Sequence, residues 1–269
     1  MKRSVFHYSV EEVAPYIDWS YLLHAWGVSG IQHAATAEEL MRDAKEILQE
    51  TGNSRCIHAV FALCNATGNG DDIMIEGTRL PLLRQQHRLD GKPNLCLSDF
   101  VSPRGDKIGL FATMVEDAFG SGYADDYRRI IALVLADRLA EAAATLMHRT
   151  VRTDNRYWGY VPDEKLTIDE LNREEYQGIR PAVGYPSLPD QSVIFIIDSI
   201  LQVGDIGIIL TPNGAMSPHS SVCGLMLSHP VARYFAVGEI TDEQLHDYCA
   251  RREVPAEKIK RFLVRNIRG

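Results

Sequence analysis

The chain has 269 residues, of which 45% are hydrophobic and 24% charged, a balance that allows a sizeable buried core. Its formal net charge of −8 argues against a nucleic-acid partner, because phosphate binding needs clustered cations. The sequence has no apolar run of the roughly eighteen residues a membrane helix needs, and the opening Met-Lys-Arg-Ser-Val-Phe-His-Tyr lacks the apolar region of a secretory signal. The expected compartment is the cytoplasm.

Tyr16-Ile-Asp-Trp19 leads into a mostly apolar run to Trp26. Asp18 there is either an N-cap for Ser20–Ala25 or a ligand group held against aromatic walls. Thr36 and Glu39 have capping-box spacing. Leu40, Ala44, Ile47 and Leu48 then follow at helical spacing, with Thr51-Gly52 as the stop.

Arg55–Cys64 and Ile73–Glu76, separated by the turn-forming Asn65–Asp71, predict a hairpin. The five cysteines (Cys56, Cys64, Cys96, Cys223, Cys249) are odd in number and widely spaced, which fits reduced thiols better than disulfides or a zinc site. With no His-Glu-x-x-His run among the histidines, no protein-bound metal is expected.

Asn94–Val101 and Lys107–Met114 read as two strands, with Asp99 in a turn or strand-end role. Asp125 to His148 is the strongest helix, with Tyr127, Ile131, Leu135, Leu139, Ala142 and Leu146 at helical spacing. Asp125 and Asp126 suit its positive end. Asp137 and Glu141 share one face of it, and Arg138 lies within pairing reach of Glu141.

Asn155–Pro162 is an aromatic-rich connection, and Thr167 with Glu170 begins a short charged helix. Ser192–Gln202 fits either a strand or a buried helix. Ile206–Thr211, Ser221–Leu227 and Arg233–Ile240 read as strands, the last two as an antiparallel pair with Tyr234 early in the final one. Thr241 and Gln244 cap a helix to about Arg252, and Pro255 opens another. Without repeats or low-complexity linkers, one domain over residues 1–269 is expected, of α+β class with an antiparallel sheet.

The stretch Tyr176–Pro186 reads Tyr-Gln-Gly-Ile-Arg-Pro-Ala-Val-Gly-Tyr-Pro. It is too broken for a helix interior or a central strand. Pro181 and Pro186 push the residues before them towards extended conformations, and Gly184 permits a positive φ or a close approach. The expected product is an extended loop with unpaired backbone groups, a planar cation at one end and a phenol at the other. Such a loop is either ordinary surface or a site for a ligand carrying a carboxylate and a flat heterocycle.

Arg180-Pro-Ala-Val-Gly-Tyr-Pro186 resembles the Arg-Pro-Ala-Pro-Gly-Tyr-Pro signature of the activation domain of cobalamin-dependent methionine synthase. Further segments resemble that family in the same order. They are Tyr16-Ile-Asp-Trp19, Cys96-Leu-Ser-Asp-Phe-Val101, Asp125-Asp-Tyr127, Ala136-Asp-Arg-Leu-Ala-Glu-Ala142, Tyr157-Trp-Gly-Tyr160, Tyr176-Gln-Gly-Ile-Arg-Pro-Ala182, and Ser228-His-Pro230 with Arg233-Tyr234.

The resemblance implies a C-shaped α+β unit around a bent antiparallel sheet that binds S-adenosylmethionine in a shallow groove. It also implies a repair role, in which an electron from a flavodoxin- or ferredoxin-type reductant and the ligand's methyl group regenerate methylcobalamin from the oxidised cofactor. By position, Asp18, Arg180 and Tyr234 are implied as ligand contacts, with Phe235 contributing backbone. Arg180 suits the ligand carboxylate and Asp18 its ammonium. Ala182, Gly184 and Tyr185 are implied on the adenine and ribose side, and Glu141 with Asp137 facing the groove. No residue is expected to act as a general acid or base.

Two departures stand out. Val183 replaces the second Pro of the signature, which removes one fixed φ. Ser221-Val-Cys223-Gly replaces Ser-Val-Ser-Gly and brings a thiol near the implied groove. The sequence also lacks the Asp-x-His-x-x-Gly cobalamin motif, so the expectation is a stand-alone component acting on a separate cobalamin-binding methionine synthase chain. Reactivation of another corrinoid methyltransferase, or non-catalytic binding of the ligand or a corrinoid protein, are the alternatives. A conventional methyltransferase lacks support, because no Gly-rich strand-to-helix turn of Rossmann type is present.

Overall fold

Ile57–Asn69 is a strand of 13 residues and the spine of the molecule. The computed structural model describes residues 1–28, 34–86, 91 and 93–267. In chain order its elements are β1 (Lys2–Tyr8), α1 (Val10–Val13), α2 (Trp19–Ala25), α3 (Ala34–Glu50), β2 (Ile57–Asn69), β3 (Asp72–Ile75), β4 (Thr78–Pro81) and β5 (Asp106–Val115). Then follow α4 (Asp126–Thr153), α5 (Ile168–Asn172), α6 (Ile194–Leu201), β6 (Ile209–Leu210), β7 (Met216–Ser217), β8 (Ser221–Leu227), α7 (Asp242–Arg252) and α8 (Ala256–Lys260).

The six-stranded sheet runs β4-β3-β2-β5-β8, with β1 beside β3 on the same edge of β2, and every pairing is antiparallel. The sheet curls into a half-barrel flanked by helices, as expected of the α+β class. The expected hairpin is β2–β3, and it continues into β4 through Glu76 and Gly77, both at positive φ (46° and 86°), the combination that a tight hairpin turn requires.

Alternation along the strands builds two cores. Val60, Ala62 and Cys64 of β2, with Ile108, Leu110 and Ala112 of β5, face α6. Ala59 and Phe61, with Phe111 and Val115, face α3 and α4. The ambiguous Ser192–Gln202 segment is therefore helical: it crosses one sheet face and buries Ile194, Ile197 and Leu201 completely. A smaller cluster under α7 and α8 gathers Leu245, Tyr248, Ile259 and Leu263.

Four expectations need correction. Asn94–Val101 is not a strand; Leu97–Phe100 forms a 3₁₀ turn. There the Asp99 carboxylate folds back onto the Cys96 N–H at 2.9 Å, and Ser98 donates to the Gly70 carbonyl at 2.7 Å. Such local side-chain bonds compete with a ladder. The Asp99 role is otherwise the structural one expected, held by two 2.7 Å bonds from Arg84.

Arg233–Ile240 does not pair with β8, because β5 and the Ile179–Val183 segment occupy both of its edges. Thr36 lies inside α3, which begins at Ala34, so it is not that helix's N-cap. Of Ile206–Thr211 only Ile209–Leu210 is strand. Among helix starts, Asp125, Thr167 and Thr241 each accept a first-turn backbone N–H, and Pro255 is the N-cap of α8. Strands β1 and β4 had no forecast.

Candidate functional site

The Tyr176–Pro186 stretch is not the unpaired loop expected. It runs antiparallel beside β8 as an irregular extra strand. Ile179 exchanges both backbone bonds with Leu227 at 2.9 Å, Leu225 donates to the Pro181 carbonyl at 3.0 Å, and Val183 donates to the Cys223 carbonyl at 2.9 Å. Gly224 makes this closeness possible, since a Cβ there would stand 2.2 Å from the Pro181 carbonyl oxygen. The replacement of Pro by Val at 183 therefore adds a ladder bond that proline has no N–H to make. It tightens the segment instead of loosening it.

Docking this segment on β8 beside α4 creates a groove of about 670 Å³, within the range of small-molecule sites. Asp18, Glu141, Arg180, Ala182, Tyr185, Tyr234 and Phe235 all line it. Gly184 does not. At φ 85° it forms the turn that sends its N–H to the Leu188 carbonyl at 2.9 Å, and it faces a neighbouring depression.

Arg180 projects from the paired segment towards α4. Its Nη2 donates to Thr145 Oγ1 at 2.7 Å. Its Nη1 stands 3.7 Å from Glu141 Oε2, too far for a hydrogen bond, and its Nε is buried with no partner among the described residues. Burial opposes the charge of Arg180, but Tyr176, Tyr234 and Glu141 around it outweigh that and hold its pKa above the usual value. The guanidinium is thus a fixed cation with an unfilled donor.

Asp18 is the N-cap that the sequence allowed, and it also lines the groove. Its Oδ1 caps α2, accepting from the Ser20 N–H at 3.0 Å and the Ser20 hydroxyl at 2.6 Å. Among the described residues no bond reaches Oδ2. One carboxylate therefore starts a helix and still offers an acceptor at the groove wall.

Glu141 does not pair with Arg138. Its Oε1 accepts from the Tyr185 hydroxyl at 2.5 Å, while Arg138 lies over the Tyr21 ring at 5.6 Å. Burial first, then the Glu141 charge, raises the Tyr185 phenol. Asp137, one turn earlier, accepts from the Ser220 hydroxyl at 2.6 Å and lines a second depression of about 180 Å³ that also includes Cys223. Burial pushes the Cys223 thiol up to about 12, so it is a packed, unreactive group.

Thr145 and Glu174 are among the groove residues that escaped the sequence reading. Thr145 follows Glu141 by one helical turn, and that spacing alone could have found it. Glu174 lies just past the Arg173 C-cap of α5 at φ 59°, a position usually given to Gly. Burial raises its carboxyl, opposed by Arg180, and no local sequence signal marks it. Among the described residues no cluster of His, Cys, Asp or Glu is arranged to hold a metal, and no helix is long and apolar enough to cross a membrane.

Residues 9–253 match the family model described as vitamin B12 dependent methionine synthase, activation domain. The chain belongs to that activation-domain family. A solved structure described as the MetH reactivation domain bound to AdoHcy is similar across 99% of this chain and 90% of its own, at 35% identity and a TM-score of 0.91. The family match accounts for the curled sheet, and it spans the stretches from Asp18 to Tyr234 that build the groove.

Proposed function

We propose that this activation-domain protein binds S-adenosylmethionine in the groove and serves the reductive reactivation of oxidised cobalamin on a methionine synthase. The observation that carries the reading is Arg180: a cation held rigidly on the groove wall with a donor unfilled, in a family whose solved member is described with AdoHcy bound.

The groove residues fit the ligand's chemistry. A carboxylate takes the open side of the Arg180 fork, and an ammonium takes Asp18 Oδ2. Ala182, Tyr185 and Phe235 supply apolar surface for a purine and ribose. Fixing both charged ends of the amino-acid part orients the sulfonium methyl, and such positioning is a large part of catalysis when the reactants are already activated. No group of the chain has to move a proton.

The cobalamin, when bound to its own module, supplies the reduced metal centre that accepts the methyl group. That module lies outside these residues, since the sequence has no Asp-x-His-x-x-Gly motif. A flavodoxin- or ferredoxin-type protein serves as reductant, and residues 1–269 act as one ligand-binding unit towards the cobalamin-binding part of a methionine synthase. Five buried free cysteines support a reducing, cytoplasmic setting.

The reading is tested by supplying the protein, S-adenosylmethionine and a reductant to a methionine synthase whose cobalamin has been oxidised. Methylcobalamin formation that depends on this chain is expected. Equal formation without it contradicts the proposal.

A further inference from the structure

Thr145 is 6% exposed, stands on α4 one turn beyond Glu141 and lines the groove. A threonine inside a helix can turn its hydroxyl back onto the carbonyl four residues earlier. Thr145 does so, donating to the Glu141 carbonyl at 3.2 Å. That bond uses the one proton of the hydroxyl. What Thr145 Oγ1 offers the groove is therefore an acceptor alone, on a branched side chain with little rotamer freedom. Arg180 Nη2 donates to it at 2.7 Å.

The same guanidinium has a stronger partner close by. Glu141 Oε2 stands 3.7 Å from Nη1, whereas Glu174, which also acts on Arg180, forms no ion pair with it. A shift of about 1 Å would turn the approach to Glu141 into a charge-assisted bond of ordinary length. The Arg180 and Glu141 side chains are only 16% and 26% exposed, so their attraction is screened less than at the surface. Full pairing would take up donors that a ligand carboxylate needs. Thr145 opposes it by holding the other nitrogen of the fork. Tyr185 helps from the far side, since its hydroxyl engages Glu141 Oε1.

We propose that Thr145 is a positioning residue for ligand binding: its hydroxyl keeps the Arg180 guanidinium from closing onto Glu141, so the fork stays open to a carboxylate. This role rests on the ligand-binding reading above and deepens it, by naming what keeps the empty groove competent. Without the hydroxyl, a closed Arg180–Glu141 pair competes with the ligand, and apparent affinity falls with the fraction of protein left open. A ligand that has no carboxylate does not meet that competition.

The test is calorimetric titration of the full chain with AdoHcy and with 5′-methylthioadenosine, which keeps the purine, ribose and thioether but lacks the amino-acid part. Thr145→Val replaces the hydroxyl by a methyl group. It is expected to weaken AdoHcy binding about tenfold, the scale of one charge-assisted bond, and to leave 5′-methylthioadenosine binding as in the wild type. Thr145→Ser keeps the oxygen and the AdoHcy affinity. In a Glu141→Gln background the charge that draws the fork closed is gone, so adding Thr145→Val costs much less AdoHcy affinity than it does in the wild type. Equal AdoHcy affinity in the wild type and Thr145→Val overturns the proposal. So does an equal loss for both ligands, which marks a general loosening of the groove, or a loss of the same size with and without Glu141→Gln. A wild-type protein that binds no AdoHcy contradicts the ligand-binding reading itself, and the role of Thr145 falls with it. Wild-type binding combined with any of the other failures contradicts the role of Thr145 alone.

Discussion

The Tyr234 hydroxyl accepts the backbone N–H of Arg180 at 3.0 Å. A residue outside the sheet therefore fixes where the groove's cation begins. The Tyr176 hydroxyl lies 3.3 Å from the Tyr234 hydroxyl, and Tyr176 is in turn clamped by Arg152 at 4.6 Å from its ring and by His148 edge-on at 4.9 Å. Tyr234→Phe should leave the Arg180 N–H without its acceptor, at a cost of about 1–3 kcal/mol. We expect weaker AdoHcy binding and a lower melting temperature in that variant, measured by calorimetric titration and thermal denaturation.

Asp18 allows capping and ligand binding to be separated. Asn caps a helix about as well as Asp but carries no charge for an ammonium. Asp18→Asn should keep the melting temperature and weaken AdoHcy binding by about 1.5–3 kcal/mol, the range for a hydrogen bond to a charged group. A fall in stability with affinity intact would assign Asp18 to capping alone.

His148 supplies a pH dependence. It is fully buried, its Nε2 lies 3.0 Å from the Tyr160 hydroxyl, and burial, then Arg152 and Arg180, hold its pKa well below the ordinary 6.5. The folded protein therefore refuses a proton that the unfolded chain accepts. Stability contributed by the neutral ring is complete above about pH 6.5 and is lost as the pH falls towards the depressed folded value, at up to about 1.4 kcal/mol per pH unit. Denaturant titrations of wild type and His148→Gln between neutral and mildly acidic pH should show a shallower acid loss in the variant.

Gly224 lets the Arg180 segment approach β8. A Cβ there would meet the Pro181 carbonyl oxygen at 2.2 Å and Ala182 Cα at 2.8 Å, both backbone atoms. Gly224→Ala should destabilise the protein by about 1–3 kcal/mol, as overpacking does, and should weaken AdoHcy binding because the displaced segment carries Arg180. Denaturant unfolding and ligand titration on the same preparation check both effects.

What was legible in the sequence was mostly local. The caps at Asp18, Thr167 and Thr241, the long α4 stripe and the β2–β3 hairpin all depend on residues within a few positions of one another. What was hidden depends on distant partners. Strand β1 forms because β2, some fifty residues later, offers an edge across the full register from Lys2 to Tyr8. Arg233–Ile240 has strand-like composition, yet β8 has no edge left for it. Instead it is held by Val237 donating to the Pro186 carbonyl and Ile240 to the Asn266 carbonyl, both at 2.8 Å, and by the Gln85 and Asn266 side-chain amides on the Ala236 and Gly238 carbonyls. The groove follows the same logic. Asp18, Glu141, Arg180 and Tyr234 lie far apart in the chain: residue chemistry alone left Asp18 and Arg180 between a structural and a ligand-binding role, and only the family resemblance put the four in one site. Glu174 has no local signature at all.

In the proposed function the Arg180 guanidinium is the carboxylate-binding end of the groove. Calorimetric titration of AdoHcy into the wild-type protein and Arg180→Ala tests it most directly. Saturable wild-type binding, weakened by about 1.5–3 kcal/mol in the variant, is the predicted result. Equal affinity in the two proteins would contradict it.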